Sequence, residues 1–482
     1  MTQNEQLQAV LDRKDALLQG DAEKTKTQHT RGSKTARERV SELVDAGSFV
    51  ETEALKRDTG VVTGYGLVDE RPVYIIAQDI TLKGAAMNAA QADKMLNLLS
   101  RAKKTGAPVV IFADAEGFSV QEDARTLTAY AAVFSCMSRL SGVTPLITVT
   151  AGPCFGVAAN FALLSDVAIA VEKTTLLMPV SPLVMNATAG TTLQPEELGG
   201  AGVLAHQGAV ALVAKDDAQS TRLVKSVLAY LPSSNRESAP MHNGDDLNRL
   251  VAPDAGDGLA LAQDVADQNA TLELYTDFGM GLRTFLSRVG GQPCGIIAGE
   301  PNRDAGRLDA PSCQKAARLV RLCDCYGLPV VSLVNSAGLT VPQFSDQAAL
   351  MRSAAQLNYA YAEATTAKIT VFVGNAIGAA YVAMGGRGAA DIAFAWPSAM
   401  IAPLTREAAV QTFAADRLKD EDRASLEEKY ALSADGLAIA SLGLADDVID
   451  PIETRKHIIA AMELLYSKQD EAPAREHGNM PL

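Results

Sequence analysis

The chain repeats itself. Residues 107 to 117, APVVIFADAEG, recur as LPVVSLVNSAG at 328 to 338, a separation of 221 positions. ITVTAGPCFG at 147 to 156 recurs as ITVFVGNAIG at 369 to 378, 222 positions on. VYIIA at 73 answers CGIIA at 294, and DVAIAV at 166 answers DIAFAW at 391. Four matches in one order at nearly constant spacing mark a tandem duplication, so the chain must fold as two copies of one unit. Within each copy, continuous apolar strands of β-branched residues alternate with segments of helical spacing. That alternation implies an α/β unit with a mostly parallel sheet covered on both faces. The stretch 236–258, inside a run dense in Pro, Gly, Asn and Asp, is read as a linker between a first domain at 1–235 and a second at 259–482.

In both copies the second apolar strand ends in a turn of small residues, AGPCFGVAAN and GNAIGAAYVA, which then opens a helix. The stretch 369 to 386 contains no Ser, Cys, His, Asp or Glu, so chemistry there must come from the backbone. Small residues let amide groups approach a ligand, and the start of a helix aims its free N–H groups and its positive dipole end at the same point. Two such amides directed at a carbonyl oxygen would stabilise an enolate by several kcal/mol. Tight packing of helix on strand would select the same small residues, and the repetition in both copies is what favours the catalytic reading.

Other classes of function are disfavoured. A net charge of −14 argues against a nucleic-acid footprint. One basic cluster stands out, Lys24, Lys26, Arg31, Lys34, Arg37 and Arg39, read as a solvated helix face or, more sharply, as a contact for a phosphate-bearing ligand. The six cysteines have neither disulfide-scaffold nor zinc-site spacing; no metal is expected, and reduced core thiols fit a cytoplasmic protein. No apolar run is long enough to span a membrane, since Asn160 and Asp166 break the longest. The first residues read as an amphipathic helix carrying Leu7, Val10, Leu11, Leu17 and Leu18 rather than as a signal peptide. No phosphate-cradling glycine loop and no Ala-Met-Lys-Met biotinylation sequence occurs.

Taken together, these stretches give the chain a likeness: it resembles a known family, the carboxyltransferase subunits of biotin-dependent acyl-CoA carboxylases, including the propionyl-CoA carboxylase β and methylmalonyl-CoA decarboxylase α subunits. The match is carried by SKTARERVSELVDAGSFVE (33 to 51), VTGYGLVDERPVYIIAQD (62 to 79), GPCFG (152 to 156) and EELGGA (196 to 201). In the second half it is carried by KAARLVRLCDCYGLPVVSLVNSAG (315 to 338), YAYAEATTAKITV (359 to 371), GAAYVAM (378 to 384) and AFAWPSAMIA (393 to 402).

The resemblance implies two crotonase-like domains, a hexameric ring, and active sites shared between the N-terminal domain of one subunit and the C-terminal domain of another. It implies an acyl-CoA side on the first domain and a biotin side on the second, with biotin carried on a separate carrier protein. A biotin carboxylase or a membrane decarboxylase subunit would be the further partner. Backbone amides of Ala379 and Ala380 would hold the thioester enolate, and those of Gly156 and Val157 the biotin carbonyl. Gly378, Tyr381, Val382, Glu116, Gly117 and Phe118 would border the acyl-CoA, and Gly152, Pro153 and Gly374 the biotin. Several positions depart from the family pattern: Val157 for a glycine, Glu116, Phe118 and Ser119 within the segment after the first buried strand, Leu204 and Leu212 for histidines, and Pro403-Leu404 for Met-Gly. Val382 stands where propionyl-preferring members carry Asp. A decarboxylating subunit of a sodium pump, a scaffold without activity, and a stand-alone crotonase such as an enoyl-CoA hydratase remain the alternatives.

Overall fold

The structure, a computed structural model, describes residues 2–481 apart from 20, 57–58, 119–123, 190–193, 243, 253–255, 342–346 and 471–477. The chain divides into two compact units, Met1–Ser238 and Ala239–Leu482. From residue 239 on, the Pro- and Gly-rich stretch belongs to the second unit, where the N–H of His242 donates to the Gly291 carbonyl and that of Val251 to the Ile452 carbonyl.

The first unit carries an eight-stranded sheet of β1 (Val50–Glu51), β2 (Val61–Val68), β3 (Arg71–Gln78), β4 (Val109–Ala115), β5 (Leu146–Phe155), β6 (Val167–Val171), β7 (Leu176–Met178) and β8 (Leu212–Ala214). Its order is β1-β2-β3-β4-β5-β6-β8, with β7 beside the end of β5. The second unit repeats this with β9 (Thr271–Leu274), β10 (Leu282–Val289), β11 (Gln292–Gly299), β12 (Val330–Ser336), β13 (Lys368–Ile377), β14 (Ile392–Ala395), β15 (Met400–Ala402) and β16 (Asp447–Val448), in the order β16-β14-β13-β12-β11-β10-β9.

Both sheets open with an antiparallel hairpin and continue in parallel, because only the later strands are separated by helices long enough to cross over. Both hairpins turn on two consecutive residues of positive φ, Asp69-Glu70 in one and Gly290-Gly291 in the other. Such a turn matches the strand twist. The crossover helices start at matching side-chain caps: Asn88 accepts the Gln91 N–H, and Asp309 accepts the Ser312 N–H.

Every residue of β4 is buried, which is what its run of apolar residues requires of a strand covered on both faces. Tyr130, Met137 and Phe161 pack beneath it in the first core, and Phe285, Trp396 and Ile458 take part in the second. The helix Gln3–Gln19 forms as its spacing predicts, but Leu7, Val10, Leu11 and Leu18 stand exposed on it. Among the described residues, no helix is long and apolar enough to cross a membrane.

Candidate active site

The central strand of each unit changes partner halfway along. Residues Ile147–Thr150 of β5 pair with β6, whereas Pro153–Phe155 pair with β7. Against β4, Ala113 is opposite Thr150 but Ala115 is opposite Cys154, so Ala151, Gly152 and Pro153 bulge out across from Asp114 alone. The second unit does the same. Val334 is opposite Phe372 and Ser336 opposite Ala376, leaving Val373, Gly374 and Asn375 across from Asn335. A bulge bends a strand and re-aims the residues beyond it, here toward the turn at the strand end.

Glycine in each bulge has a steric cause. A β-carbon on Gly152 would stand 2.5 Å from the Asp114 carboxylate, and one on Gly374 would stand 2.5 Å from the Asn335 side chain. The residues expected on the biotin side, Gly152, Pro153 and Gly374, are therefore the bulges themselves. Pro153 has no N–H to offer a ligand.

Past the bulges come the turns. Gly156 has φ +68° and begins the single helical turn Gly156–Ala159, which leads into the short helix Asn160–Leu163. Gly378 has φ +53° and ψ −122°, a region open to glycine, and precedes the helix Ala379–Ala383. The first N–H groups of a helix have no partner within it, and neither Phe155 nor Gly378 contributes a side-chain cap. The Gly378 N–H is occupied by the Ala402 carbonyl at 2.9 Å, so the amides of Ala379 and Ala380 are the ones the turn presents. Ala379 is the exposed member of that pair and Ala380 is buried; Gly156 and Val157 are both half-buried.

The expected acyl-CoA residues separate into two groups. Val382 is 53% exposed, and Glu116 is exposed with its carboxylate over the α-carbon of Gly84. Gly117 takes φ +109°, and its carbonyl accepts the Met87 N–H at 2.8 Å. Phe118 and Tyr381 instead face their own cores. Phe118 meets Tyr130 edge to face with ring centres 5.9 Å apart. Tyr381 stacks on Phe372 at 5.3 Å and donates its hydroxyl to the Leu444 carbonyl at 3.3 Å. Ser119 lies outside the described residues. Leu204 and Leu212, which stand in place of histidines, are buried.

Folding splits the basic cluster, leaving Lys24, Lys26 and Arg31 exposed. Lys34 pairs with Glu42 at 2.6 Å and Arg37 with Glu51 at 2.8 Å, while Arg39 is buried. The capping box of Thr35 and Glu38 starts the helix Ala36–Leu43 so that Arg39 points inward. There its guanidinium binds Asp114 at 2.5 Å and Asp217 at 2.8 Å. Burial alone would lower the Arg39 pKa, but the two carboxylates outweigh it and hold the group charged. Burial pushes the Asp114 carboxyl up, and Arg39 opposes that rise. Sequence reading missed this hub. Its only signals were the capping motif and the Asp at the end of a buried strand.

Among the described residues, no group of three or more His, Cys, Asp or Glu is placed to hold a metal. Each turn offers backbone donors at a strand end, and in the first unit the Glu116 carboxylate lies just past β4.

Comparison with known proteins gives the family. A family model described as the carboxyl transferase domain matches residues 27–480. The chain is 34% identical to the methylmalonyl-CoA decarboxylase subunit alpha of Propionigenium modestum, over 96% of each chain. It is also 34% identical to the methylmalonyl-CoA carboxyltransferase 12S subunit of Propionibacterium freudenreichii subsp. shermanii, over 96% of this chain and 94% of that one. A crystal structure of transcarboxylase 12S, described as a hexamer assembly with methylmalonyl-coenzyme A and methylmalonic acid bound, superposes with a TM-score of 0.95 at 32% identity, covering 100% of this chain and 99% of that one. A match over nearly the whole length, to the family model and to relatives alike, means that the chain belongs to the carboxyl transferase domain family, that of the carboxyltransferase subunits of biotin-dependent acyl-CoA carboxylases.

Proposed function

We propose that this carboxyltransferase moves a carboxyl group between biotin on a separate carrier protein and the α-carbon of a short acyl-CoA. The observation that carries the reading is the pair of uncapped turns at Gly156–Val157 and Ala379–Ala380, each re-aimed by a bulge in a buried strand. Biotin supplies the carrier of the carboxyl group and a ureido nitrogen that exchanges a proton with the substrate.

The chain's own task is electrostatic. Amides of Ala379 and Ala380 hold the thioester oxygen as negative charge builds on it, and those of Gly156 and Val157 hold the ureido carbonyl. Each such donor contributes on the order of 100- to 1,000-fold in kcat, about 3–4 kcal/mol. The residues fit that task, because the turns are built of small side chains and their amides are not consumed by caps. No side-chain acid or base at the turns is needed. The body of the acyl-CoA lies along the first unit and that of biotin along the second, while each reacting carbonyl meets the amide turn of the opposite half, so complete sites form between subunits of a homo-oligomer, a hexamer by likeness to the 12S assembly.

Carboxylation or transcarboxylation is the main direction. Decarboxylation coupled to a membrane partner is the second reading, favoured by the likeness to the Propionigenium modestum subunit.

The test is release of propionyl-CoA from methylmalonyl-CoA in the presence of free biotin, with light scattering on the same sample. A biotin-dependent rate from an oligomer supports the reading. A rate that needs no biotin, or full activity from a stable monomer, overturns it.

A further inference from the structure

The two units build the same bulge on different chemistry. In the second, the neutral Asn335 accepts the Asn375 N–H from within the bulge at 3.0 Å. In the first, the equivalent residue is Asp114, buried at 1% exposure, with Oδ2 2.5 Å from Arg39 Nη1. Arg39 Nε donates to Asp217 at 2.8 Å, and Nη2 donates to Ser33 Oγ at 2.6 Å and to the Ala151 carbonyl at 3.4 Å. Ser33 Oγ donates to the same Ala151 carbonyl at 3.3 Å, and the second oxygen of Asp217 accepts the Lys34 N–H at 2.7 Å. One buried fork thus ties the end of β4, the first residue of the β5 bulge, the chain ahead of the helix Ala36–Leu43, and the helix Asp217–Tyr230. The other oxygen of Asp114, Oδ1, faces Gly152 with no hydrogen-bond partner among the described residues.

A buried ion network is costly to desolvate, and replacing the whole of one by well-packed apolar side chains is often neutral or stabilising. The second unit demonstrates that an amide suffices to make this bulge. The charge in the first unit therefore calls for a reason other than forming it. From the last residue of the bulge on, Pro153–Phe155 pair with β7, so any shift at Ala151 or Gly152 passes as a rigid movement to Gly156.

We propose that Arg39 and Asp114 are positioning residues for carboxyl transfer: through the β5 bulge they set the direction in which the Gly156 and Val157 amides leave the sheet. This rests on the reading of that turn as a donor site. The rigid fork of arginine suits the role, since it fixes two partners at a defined angle where a lysine holds one point charge.

The test uses Asp114→Asn, Arg39→Lys and Arg39→Met in the full chain, with methylmalonyl-CoA and free biotin, and with folding checked by circular dichroism and light scattering. Misplacing catalytic groups by about 1 Å costs on the order of 100-fold, so kcat is expected to fall about ten- to a hundred-fold in folded protein. The KM for biotin rises while the KM for methylmalonyl-CoA stays within about twofold. Arg39→Lys falls with Arg39→Met, not with the parent. The double variant Asp114→Asn with Arg39→Met loses little more than either single one, because they act as a unit.

Unchanged kcat in folded Asp114→Asn overturns the proposal. So does an equal effect on both substrates. Failure of Asp114→Asn to fold overturns it too, given the amide at Asn335; should Arg39→Met alone not fold, Asp114→Asn decides. Gly156→Ile separates the two levels. If it is fully active, the donor-turn reading itself fails; if it is inactive while Asp114→Asn is not, only the positioning role fails.

Discussion

The carbonyl oxygen of Pro403 stands 2.9 Å from where a β-carbon on Gly378 would project, so the turn before Ala379 is closed to any side chain. Its φ of +53° with ψ −122° excludes other residues on backbone grounds as well. Gly378→Val should reduce carboxyl transfer by at least about 100-fold, the loss expected when an oxyanion donor is displaced. Backbone strain should cost about 1–3 kcal/mol of stability, and relief of the contact with the Pro403 carbonyl adds to it. Steady-state rates and a thermal melt on the same preparation check this. Cys154→Ser, two residues before the other turn, is the contrast. The thiol is fully buried, burial pushes its pKa up, and the proposed chemistry does not use it, so the folded variant should keep its specific activity.

Tyr381 comes directly after the second amide pair in sequence but turns away from it. Its ring stacks on Phe372, and its hydroxyl donates to the Leu444 carbonyl and accepts the Arg387 N–H at 3.3 Å. Tyr381→Phe should therefore cost about 1 kcal/mol of stability for the lost hydrogen bonding and leave both KM values unchanged. A KM effect without a stability effect would return Tyr381 to the acyl-CoA site.

Val382, one residue further, is 53% exposed on the same short helix, with nothing to hold it in the core. If it borders the acyl group, Val382→Asp should change the relative rates with acetyl-, propionyl- and butyryl-CoA by about tenfold or more, the range over which a pocket discriminates one methylene. An equal change for all three would assign discrimination elsewhere, with Glu116 the next candidate.

Lys94 and Lys315 hold matching places on the two crossover helices, and both are buried. Lys94 donates to the Val61 carbonyl at 2.8 Å and Lys315 to the Tyr275 carbonyl at 3.3 Å. Burial lowers each amine from 10.5 to about 8, with Glu51 near Lys94 and Glu273 near Lys315 acting against the fall. The unfolded chain therefore binds more protons between pH 8 and 10.5, so these groups add stability as pH rises through that window. The effect is at most about 3 kcal/mol per lysine. Denaturant melts at about pH 7.5, 8.5 and 9.5, spanning the start of that window, should show the parent gaining on Lys94→Met as pH rises, whatever the buried thiols and tyrosines contribute to both. A difference independent of pH would mean that Lys94 is charged in the folded protein.

How much of this was legible beforehand depends on range. The duplication, the fully buried strands and the small-residue turns are written in residues close together in the chain. Periodicity and glycine act over a few positions, and the sequence by itself determined what they specify. It determined the family too, because the motifs fall in order along nearly the whole length.

Other features needed the tertiary structure. Arg39 reads as one of six basic residues on a surface face, yet the fold turns it inward to Asp114 and Asp217, 75 and 178 positions away. Phe118 and Tyr381 read as site residues because of their neighbours in sequence, but side-chain direction at a strand or helix end depends on what packs there. The bulges at Ala151–Pro153 and Val373–Asn375 leave no mark in either strand alone. Register is a property of two paired strands, and each bulge exists only where β4 or β12 presents a polar side chain that the facing strand must go around.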